Sequence, residues 1–248
     1  MTTGWHIAGR LAGAATLALA ALPIMIPVAG SQPCPDIGVV FARGTAEPPG
    51  VGGVGQRFVD SLRAQVVPRT VGVHGVNYPA SSNFSGGTAF TMNVVEGMRD
   101  ETQHLRSVVS ACPNTRMILG GYSQGAVVTA LTTSGVVPAD VPAEAAPPPI
   151  PGDVADNVAA VVLFGMPAGW SATKYRAPAI DVGPYYAARA MELCAPGDTV
   201  CSGAPATGSS AAHQQYAQNG MADQAASFAA GQLARAGTAT LTSQRRSR

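Results

Sequence analysis

The chain has 248 residues, of which 46% are hydrophobic and 12% are charged, and its formal net charge is +1. A chain of this length has room for one domain with a large core, and its apolar content excludes an intrinsically disordered protein. No basic stripe stands out from the mixed charges, so nucleic acid is excluded as an expected partner.

The first 30 residues have the composition of an export signal. A weakly basic start precedes an apolar run at 11–29, which Pro23 and Pro27 interrupt just before a small-residue cleavage position. This order is typical of a secretory signal peptide, so we assign residues 1–30 to a cleaved signal and exclude them from the fold. The alternative is an uncleaved membrane anchor, because the apolar run is nearly long enough to span a bilayer.

Strand-like and helix-like segments alternate along the rest of the chain. Continuous apolar runs predict buried strands, and apolar residues three or four positions apart predict helices. The predicted strands are 37–43, 71–77, 116–122, 158–164 and 187–193, and the predicted helices are 53–67, 91–110, 124–133 and 221–235. This alternation predicts an α/β fold in which a central parallel sheet is flanked by helices on both faces.

Two segments interrupt or end this alternation. Residues 136–153 contain six prolines and predict a surface loop rather than a linker between domains, because strand-like sequence resumes at once. Residues 236–248 end in Arg-Arg-Ser-Arg and predict a disordered tail. The folded domain is therefore assigned to residues 31–235.

All four cysteines follow the export signal. An exported chain meets an oxidising compartment, so two disulfides are expected. Three pairings are open on the sequence alone. Cys194 and Cys201 flank a Gly-Asp turn that suits a local bridge, which would leave Cys34 with Cys112. A zinc site is disfavoured because the paired spacing of zinc ligands is absent.

The segment Gly121-Tyr122-Ser123-Gln124-Gly125 has the form G-x-S-x-G, with a predicted strand before it and a predicted helix after it. This is the pattern of a nucleophile elbow, a sharp turn whose glycines avoid clashes between strand and helix. The serine hydroxyl then lies near a helix N-terminus, which stabilises a developing anion. An ordinary serine in a glycine-rich turn is the alternative, but the context favours a nucleophile.

A nucleophilic serine needs a base, and in this architecture the chain order is Ser, acid, His. His213 is the only histidine after Ser123, so it is the predicted base. Asp198 is the favoured acid because a Cys194–Cys201 bridge would hold its turn rigid, as an orienting carboxylate requires. The other acidic residues between nucleophile and base are Asp140, Glu144, Asp153, Asp156, Asp181 and Glu192.

An oxyanion hole needs at least two donors. The backbone N–H of Gln124 is one, because this residue follows the nucleophile. Thr45 is the second candidate, because it lies in the loop after the first strand and offers both an N–H and a hydroxyl. For Arg43 and Glu47 in the same loop, we favour a structural ion pair over a role in the reaction.

Together these residues resemble the cutinase family, and within it the bacterial cutinase-like esterases. The resemblance extends from Cys34 to about Leu233 and is carried by His213 and by three motifs: VVFARGT at 39–45, CPNTRMILGGYSQGA at 112–126 and CAPGDTVC at 194–201. It implies a small α/β-hydrolase with no true lid and an exposed active site. It also implies the disulfides Cys34–Cys112 and Cys194–Cys201.

By motif position, the resemblance implies Ser123 as nucleophile, Asp198 as acid and His213 as base, with Thr45 and Gln124 as oxyanion donors. Two features depart from the family pattern. Fungal cutinases carry serine where this chain has Thr45, and the added methyl group would reshape the oxyanion hole slightly. The proline-rich segment is also longer than expected, and an inert surface loop is favoured over one that borders the site.

The predicted protein is a secreted, extracellular serine esterase that hydrolyses esters of short- to medium-chain fatty acids through an acyl-enzyme. It needs no metal or organic cofactor. We expect a monomer whose partner is an ester or lipid substrate, with transient contact to a membrane or the cell envelope. The alternatives are a lipase or phospholipase that uses the same residues on long-chain lipids, and a secreted non-catalytic surface protein.

Overall fold

The computed structural model describes residues 1–2, 33–137, 141–168, 181–203 and 211–246, with no side chains beyond 237. Tertiary contacts divide the chain into two units, Met1–Pro33 and Cys34–Arg248. The predicted signal peptide falls almost entirely outside the described residues, so its assignment stays a prediction. The second unit carries the fold.

A five-stranded parallel sheet forms the centre of this unit, in the order β2-β1-β3-β4-β5. The strands are β1 (Ile37–Ala42), β2 (Val71–Gly75), β3 (Arg116–Tyr122), β4 (Val158–Phe164) and β5 (Ala190–Leu193). Every residue of β1 and β4 is buried, as expected for strands covered on both faces. The predicted α/β fold is confirmed, and β3 occupies the middle of the sheet.

Within the described residues, five helices connect and cover the strands. They are α1 (Gly52–Gln65), α2 (Thr88–Ala111), α3 (Gln124–Ser134), α4 (Gly152–Asp156) and α5 (Met221–Arg246). Side chains alternate across the sheet, so Val39 and Phe41 join one apolar core while Val40 and Ala42 join another. The first core is closed by α1 and α5, and the second by α2, α3 and α4.

The proline-rich segment lies along helix α2. Arg99 and Arg106 donate hydrogen bonds of 2.7 Å to the backbone carbonyls of Ala145 and Pro149. Prolines carry no N–H, so such a segment offers mainly acceptors, and a guanidinium offers only donors. The predicted loop therefore follows the surface of the domain in the part that the structure describes. It ends in α4, a short helix that the sequence did not predict.

Two other elements differ from the sequence prediction at their ends. Residues 187–189 form a 3-10 turn, and β5 begins only at Ala190, where pairing with β4 starts. Helix α5 continues to Arg246, into the segment that the sequence predicted as a disordered tail. Gly237 costs a helix only about 1 kcal/mol relative to alanine, and no proline follows it to end the helix.

In the part of the chain that the structure describes, no helix is both long and apolar enough to cross a bilayer.

Candidate active site

Ser123 lies between the end of β3 and the first residue of α3, as the motif predicted. Its backbone has φ = 54°, a left-handed conformation that a non-glycine residue adopts only when its surroundings enforce it. The Ser123 N–H donates to the carbonyl of Phe164 in β4 at 2.8 Å, and its own carbonyl accepts from Val127 at 3.3 Å. The strained residue is thus fixed by the sheet on one side and the helix on the other.

The two glycines of the motif are required by close backbone contacts rather than by φ. A Cβ on Gly121 would lie 2.2 Å from the carbonyl oxygen of Gly125. A Cβ on Gly125 would lie 2.0 Å from the carbonyl oxygen of Ala42 in β1. Helix α3 therefore approaches the sheet so closely that side chains at these positions would push the helix away from it.

His213 lies in a 3-10 turn, Ala211–Gln214, and contacts both other predicted residues of the triad. Its Nε2 is 2.9 Å from Ser123 Oγ, and its Nδ1 is 2.8 Å from Asp198 Oδ2. An ionised carboxylate can only accept, so Nδ1 carries the proton and donates to Asp198. Nε2 is then free to accept the proton of the Ser123 hydroxyl.

Asp198 is completely buried and makes further hydrogen bonds that the sequence did not predict. Its Oδ1 accepts from the backbone N–H of Val200 at 2.8 Å. Its Oδ2 accepts from the hydroxyl of Tyr216 at 2.7 Å, and this hydroxyl in turn accepts from the N–H of Ala195 at 2.9 Å. A buried carboxylate is stable only with such partners, because desolvation otherwise favours its neutral form.

Two tyrosines therefore support the Asp–His pair. Tyr122 donates from its hydroxyl to the backbone carbonyl of His213 at 2.5 Å, and its ring lies 5.1 Å from the imidazole. Burial raises the pKa of Tyr122 to about 12, and burial together with the hydrogen bond to Asp198 raises the pKa of Tyr216. Both hydroxyls stay protonated in the neutral range and act as donors. A buried tyrosine one residue before or three residues after a predicted catalytic residue is only a weak sequence signal.

The other acidic candidates do not contact the base in the described residues. Asp156 accepts from Tyr185, and Glu192 lies on β5 with its pKa raised by burial. Glu144, Asp153 and Asp181 form no hydrogen bond with His213. Asp140 lies outside the described residues. The structure thus brings Asp198, alone among the described candidates, to the imidazole.

The loop after β1 carries Thr45, and Gln124 begins α3. The Thr45 side chain is half-buried, whereas the Gln124 side chain is buried and donates to the carbonyl of Ser81 at 3.4 Å. As the first residue of a helix, Gln124 has a backbone N–H without a partner inside that helix. No hydrogen bond joins Thr45 to the other site residues, so its role as an oxyanion donor stays a prediction.

The predicted ion pair between Arg43 and Glu47 is wrong. The buried Arg43 guanidinium donates instead to the backbone carbonyls of Glu47, Val76 and Tyr78, at 2.8, 3.2 and 2.6 Å. The Glu47 carboxylate accepts from the N–H groups of Gly44 and Gly53, at 2.6 and 2.8 Å. Both side chains hold the loop as predicted, but each does so through the backbone, where the irregular loop has unpaired groups to satisfy.

Both expected disulfides are present, Cys34–Cys112 and Cys194–Cys201. The first joins the chain before β1 to the end of α2, and the second closes the turn that carries Asp198. Cys201 Sγ also lies 3.3 Å from the hydroxyl of Tyr216. The described residues contain no group of three or more His, Cys, Asp or Glu side chains that could hold a metal ion.

A buried sheet, a serine on a strained turn and an Asp–His pair at its hydroxyl define a serine hydrolase of the α/β type. The cutinase family model matches residues 33–233. The chain belongs to the cutinase family, and it is a carboxylic ester hydrolase.

Among curated relatives, carboxylesterase Culp1 of Mycobacterium tuberculosis is 44% identical over 226 residues, which cover 90% of this chain and 94% of the relative. Phospholipase Culp4 of the same species is 38% identical over 230 residues, covering 91% and 93%. Among solved structures, Trichoderma reesei cutinase in complex with a C11Y4 phosphonate inhibitor matches with a TM-score of 0.60 and 35% identity, covering 81% of this chain and 78% of the other. These similarities support hydrolysis of esters.

Proposed function

We propose that this protein is a secreted cutinase-like esterase in which Ser123, His213 and Asp198 form the catalytic triad. The observation that carries the proposal is the continuous set of contacts from Asp198 Oδ2 through the imidazole to Ser123 Oγ, at 2.8 and 2.9 Å. Nucleophile, base and orienting acid within hydrogen-bond reach are the requirement for acyl transfer through a serine.

In the proposed reaction, Ser123 Oγ attacks the ester carbonyl while His213 Nε2 takes the hydroxyl proton. Asp198 holds the tautomer and stabilises the imidazolium that forms. His213 then returns the proton to the leaving alcohol as the tetrahedral intermediate collapses to the acyl-enzyme. Water then attacks the acyl-enzyme while His213 takes the proton of the water. His213 returns this proton to Ser123 Oγ, which releases the acid and the free serine.

The backbone N–H of Gln124 and the N–H or hydroxyl of Thr45 are the proposed oxyanion donors. The first stands at the N-terminus of α3, where the helix dipole favours negative charge. The second is carried by a loop that Arg43 and Glu47 fix through the backbone. Rigid donors aimed at a developing charge stabilise a transition state without having to reorganise.

The proposed substrates are esters of short- to medium-chain fatty acids, and the proposed compartment is extracellular. The carboxylesterase relative supports the substrate class, and two disulfides support an oxidising compartment. A second candidate, hydrolysis of long-chain lipids, is favoured by one observation only, the similarity to a phospholipase. The same triad would serve either substrate.

The test is a rate series on chromogenic esters from acetate to palmitate, with phospholipid vesicles alongside. Activity should peak at short or medium chains. A peak at palmitate or faster release from vesicles would favour the lipid-hydrolase candidate instead.

Ser123→Ala should lower the rate on the best ester by roughly 10⁴-fold or more, because no other group supplies the nucleophile. Ser107→Ala, at an exposed serine of α2, is the matched control and should keep wild-type rates. Retention of more than about 1% of the wild-type rate by Ser123→Ala would contradict the assigned nucleophile.

A further inference from the structure

Two acidic side chains in the described residues are completely buried, Asp198 and Glu101. The proposed reaction uses only the first. Glu101 lies on α2, behind the nucleophile turn, and no ion pair of the described residues includes it. Burying a carboxylate with no cation beside it destabilises the folded protein through the desolvation penalty of the ion, so Glu101 needs another source of stabilisation.

Glu101 is linked to both arms of the nucleophile turn through the hydroxyl of Thr129. The hydroxyl of Thr129 on α3 is 3.1 Å from Glu101 Oε1. The same hydroxyl is 3.0 Å from the backbone carbonyl oxygen of Gly120 on β3, three residues before Ser123. The second oxygen, Glu101 Oε2, has no hydrogen-bond partner.

A count of protons favours one state of Glu101. The nearby hydroxyl of Thr132 donates to the backbone carbonyl of Val128 at 2.8 Å, which leaves Thr129 to be considered. A threonine hydroxyl carries one hydrogen, and a backbone carbonyl can only accept. If Glu101 were a carboxylate, the Thr129 hydrogen would face two acceptors and could satisfy only one. Both contacts become hydrogen bonds when Glu101 carries the proton, because Glu101 then donates to Thr129 and Thr129 donates to Gly120.

We propose that Glu101 is a carboxylic acid at neutral pH and acts as a positioning residue, joining α2 through Thr129 to the strand and helix that hold Ser123. The role rests on the proposed function, because it matters for catalysis only if Ser123 is the nucleophile. Its physical basis is the strain at Ser123, whose φ of 54° persists only while the surrounding structure enforces it.

The electrostatic surroundings agree with a neutral acid. The groups that face Glu101 are Asp100 on its own helix, Thr129 and Thr132 on α3, and two tyrosines that follow other elements, Tyr78 and Tyr186. None of them is a cation. The pKa of Glu101 is raised to about 8, because burial and, to a smaller extent, the charge of Asp100 outweigh the lowering effect of the two threonine hydroxyls.

The first test reads the protonation state directly and does not depend on activity. The infrared spectrum of the wild-type protein at neutral pH should contain the carbonyl stretch of a buried carboxylic acid, and Glu101→Gln should remove it. The band should disappear as the pH rises through about 8. A wild-type spectrum without this band at neutral pH would overturn the assignment, whatever the enzyme hydrolyses.

The second test reads the positioning role. Glu101→Gln keeps a neutral donor to Thr129 at every pH, so its kcat should match wild type within about twofold at neutral pH. Above the pKa of Glu101, wild-type kcat should fall several-fold with KM unchanged, while the variant should keep its rate. Glu96→Gln, at an exposed acid of the same helix, should follow wild type throughout. A wild-type kcat that does not fall, or an equal alkaline fall in Glu101→Gln, would overturn the positioning role.

Thr129→Val removes the hydroxyl that joins Glu101 to the strand while keeping the shape of the side chain. Its kcat should fall at neutral pH with little change in KM, because no substrate contact is lost. An unchanged kcat would overturn the role of this connection. If Ser123→Ala were active, the proposed function would fail, yet the infrared band would still report the state of Glu101.

Protonation of Glu101 also makes the free energy of unfolding depend on pH. The pKa of Glu101 is about 8 in the folded protein, whereas an ordinary glutamic acid has a pKa of 4.5. The folded state therefore binds more protons than the unfolded state between these two pH values. The free energy of unfolding should therefore fall as the pH rises through this window. Glu101→Gln should remove this fall in denaturant titrations, and an identical pH slope in wild type and variant would count against a neutral buried acid.

Discussion

The nucleophile and its Asp–His partners are held by different kinds of structure. Ser123 lies between a central strand and a helix, and its position is set by backbone contacts at Gly121 and Gly125. Asp198 and His213 lie in turns without regular strand or helix pairing, and side-chain hydrogen bonds and a disulfide hold them. The position of Ser123 is therefore part of the packing of the sheet, whereas the positions of Asp198 and His213 depend on contacts between loops.

Because of this difference, substitutions near Ser123 and substitutions near Asp198 and His213 should lower activity in different ways. Damage on the nucleophile side should disturb packing of the whole sheet, so stability and activity should fall together. Damage on the Asp–His side should loosen a few hydrogen bonds, so kcat should fall while the fold persists.

Gly125→Ala should have the largest effect. Its Cβ would lie 2.0 Å from the Ala42 carbonyl, so α3 must move from the sheet, and the expected loss of stability is about 3 kcal/mol or more. Activity should vanish with it. Gly231→Ala is the control, because nothing lies within 4 Å of its Cβ and alanine favours the exposed helix. Thermal unfolding of both variants checks the prediction, and a folded, active Gly125→Ala would refute the close contact.

The two disulfides should separate stability from catalysis. Chain entropy predicts a loss of roughly 4 kcal/mol without Cys34–Cys112, which spans 78 residues, and roughly 2 kcal/mol without Cys194–Cys201, which spans 7. Only the shorter bridge fixes the turn of Asp198. Paired serine substitutions should therefore lower kcat mainly at Cys194 and Cys201, and lower the unfolding midpoint mainly at Cys34 and Cys112. The reverse pattern would contradict this division.

Tyr216→Phe should lower kcat by roughly 10-fold to 100-fold, the range expected for a lost hydrogen bond to a charged group. Asp198 would keep the Val200 N–H and the imidazole but lose a donor inside the protein. KM should change little, because Tyr216 is buried away from solvent. Tyr185→Phe, at an exposed ring, is the control. Equal rates in both variants would show that Tyr216 fills space only.

Tyr122→Phe should have the smallest effect, about 3-fold to 10-fold in kcat, because its hydroxyl bonds the backbone of His213 rather than a charged group. Initial rates on the best ester measure it. A larger loss than that of Tyr216→Phe would mean that the imidazole is positioned through its backbone more than through Asp198.

Much of this architecture follows from local sequence patterns. Strands β1, β3 and β4 are largely apolar runs, and the nucleophile turn has glycines at fixed spacing, so both could be predicted from neighbouring residues. Chain order then selected His213, and the disulfide turn favoured Asp198. The structure places His213 beside Ser123 and Asp198 beside His213, and their roles stay proposals.

The rest depends on contacts between distant residues. Tyr122 reaches His213 across 91 positions, and Thr129 meets Glu101 across 28, so no local pattern indicates either contact. The Arg43–Glu47 ion pair was a plausible local pairing that loop carbonyls and N–H groups displaced, because buried backbone groups must find partners. The end of α5 beyond residue 235 was predicted as a tail from its Arg-Arg-Ser-Arg ending, and the structure continues the helix to Arg246.

The positions of the proposed triad along the chain also set the order in which its residues are synthesised. Ser123 is synthesised before the residues of Asp198 and His213, and the helix that closes the first core, α5, comes last. A growing chain therefore carries the serine without its base until 90 further residues have been added. Hydrolysis would begin only after the residues of α5 have been added, so the appearance of activity would report completion of the domain rather than formation of the nucleophile turn.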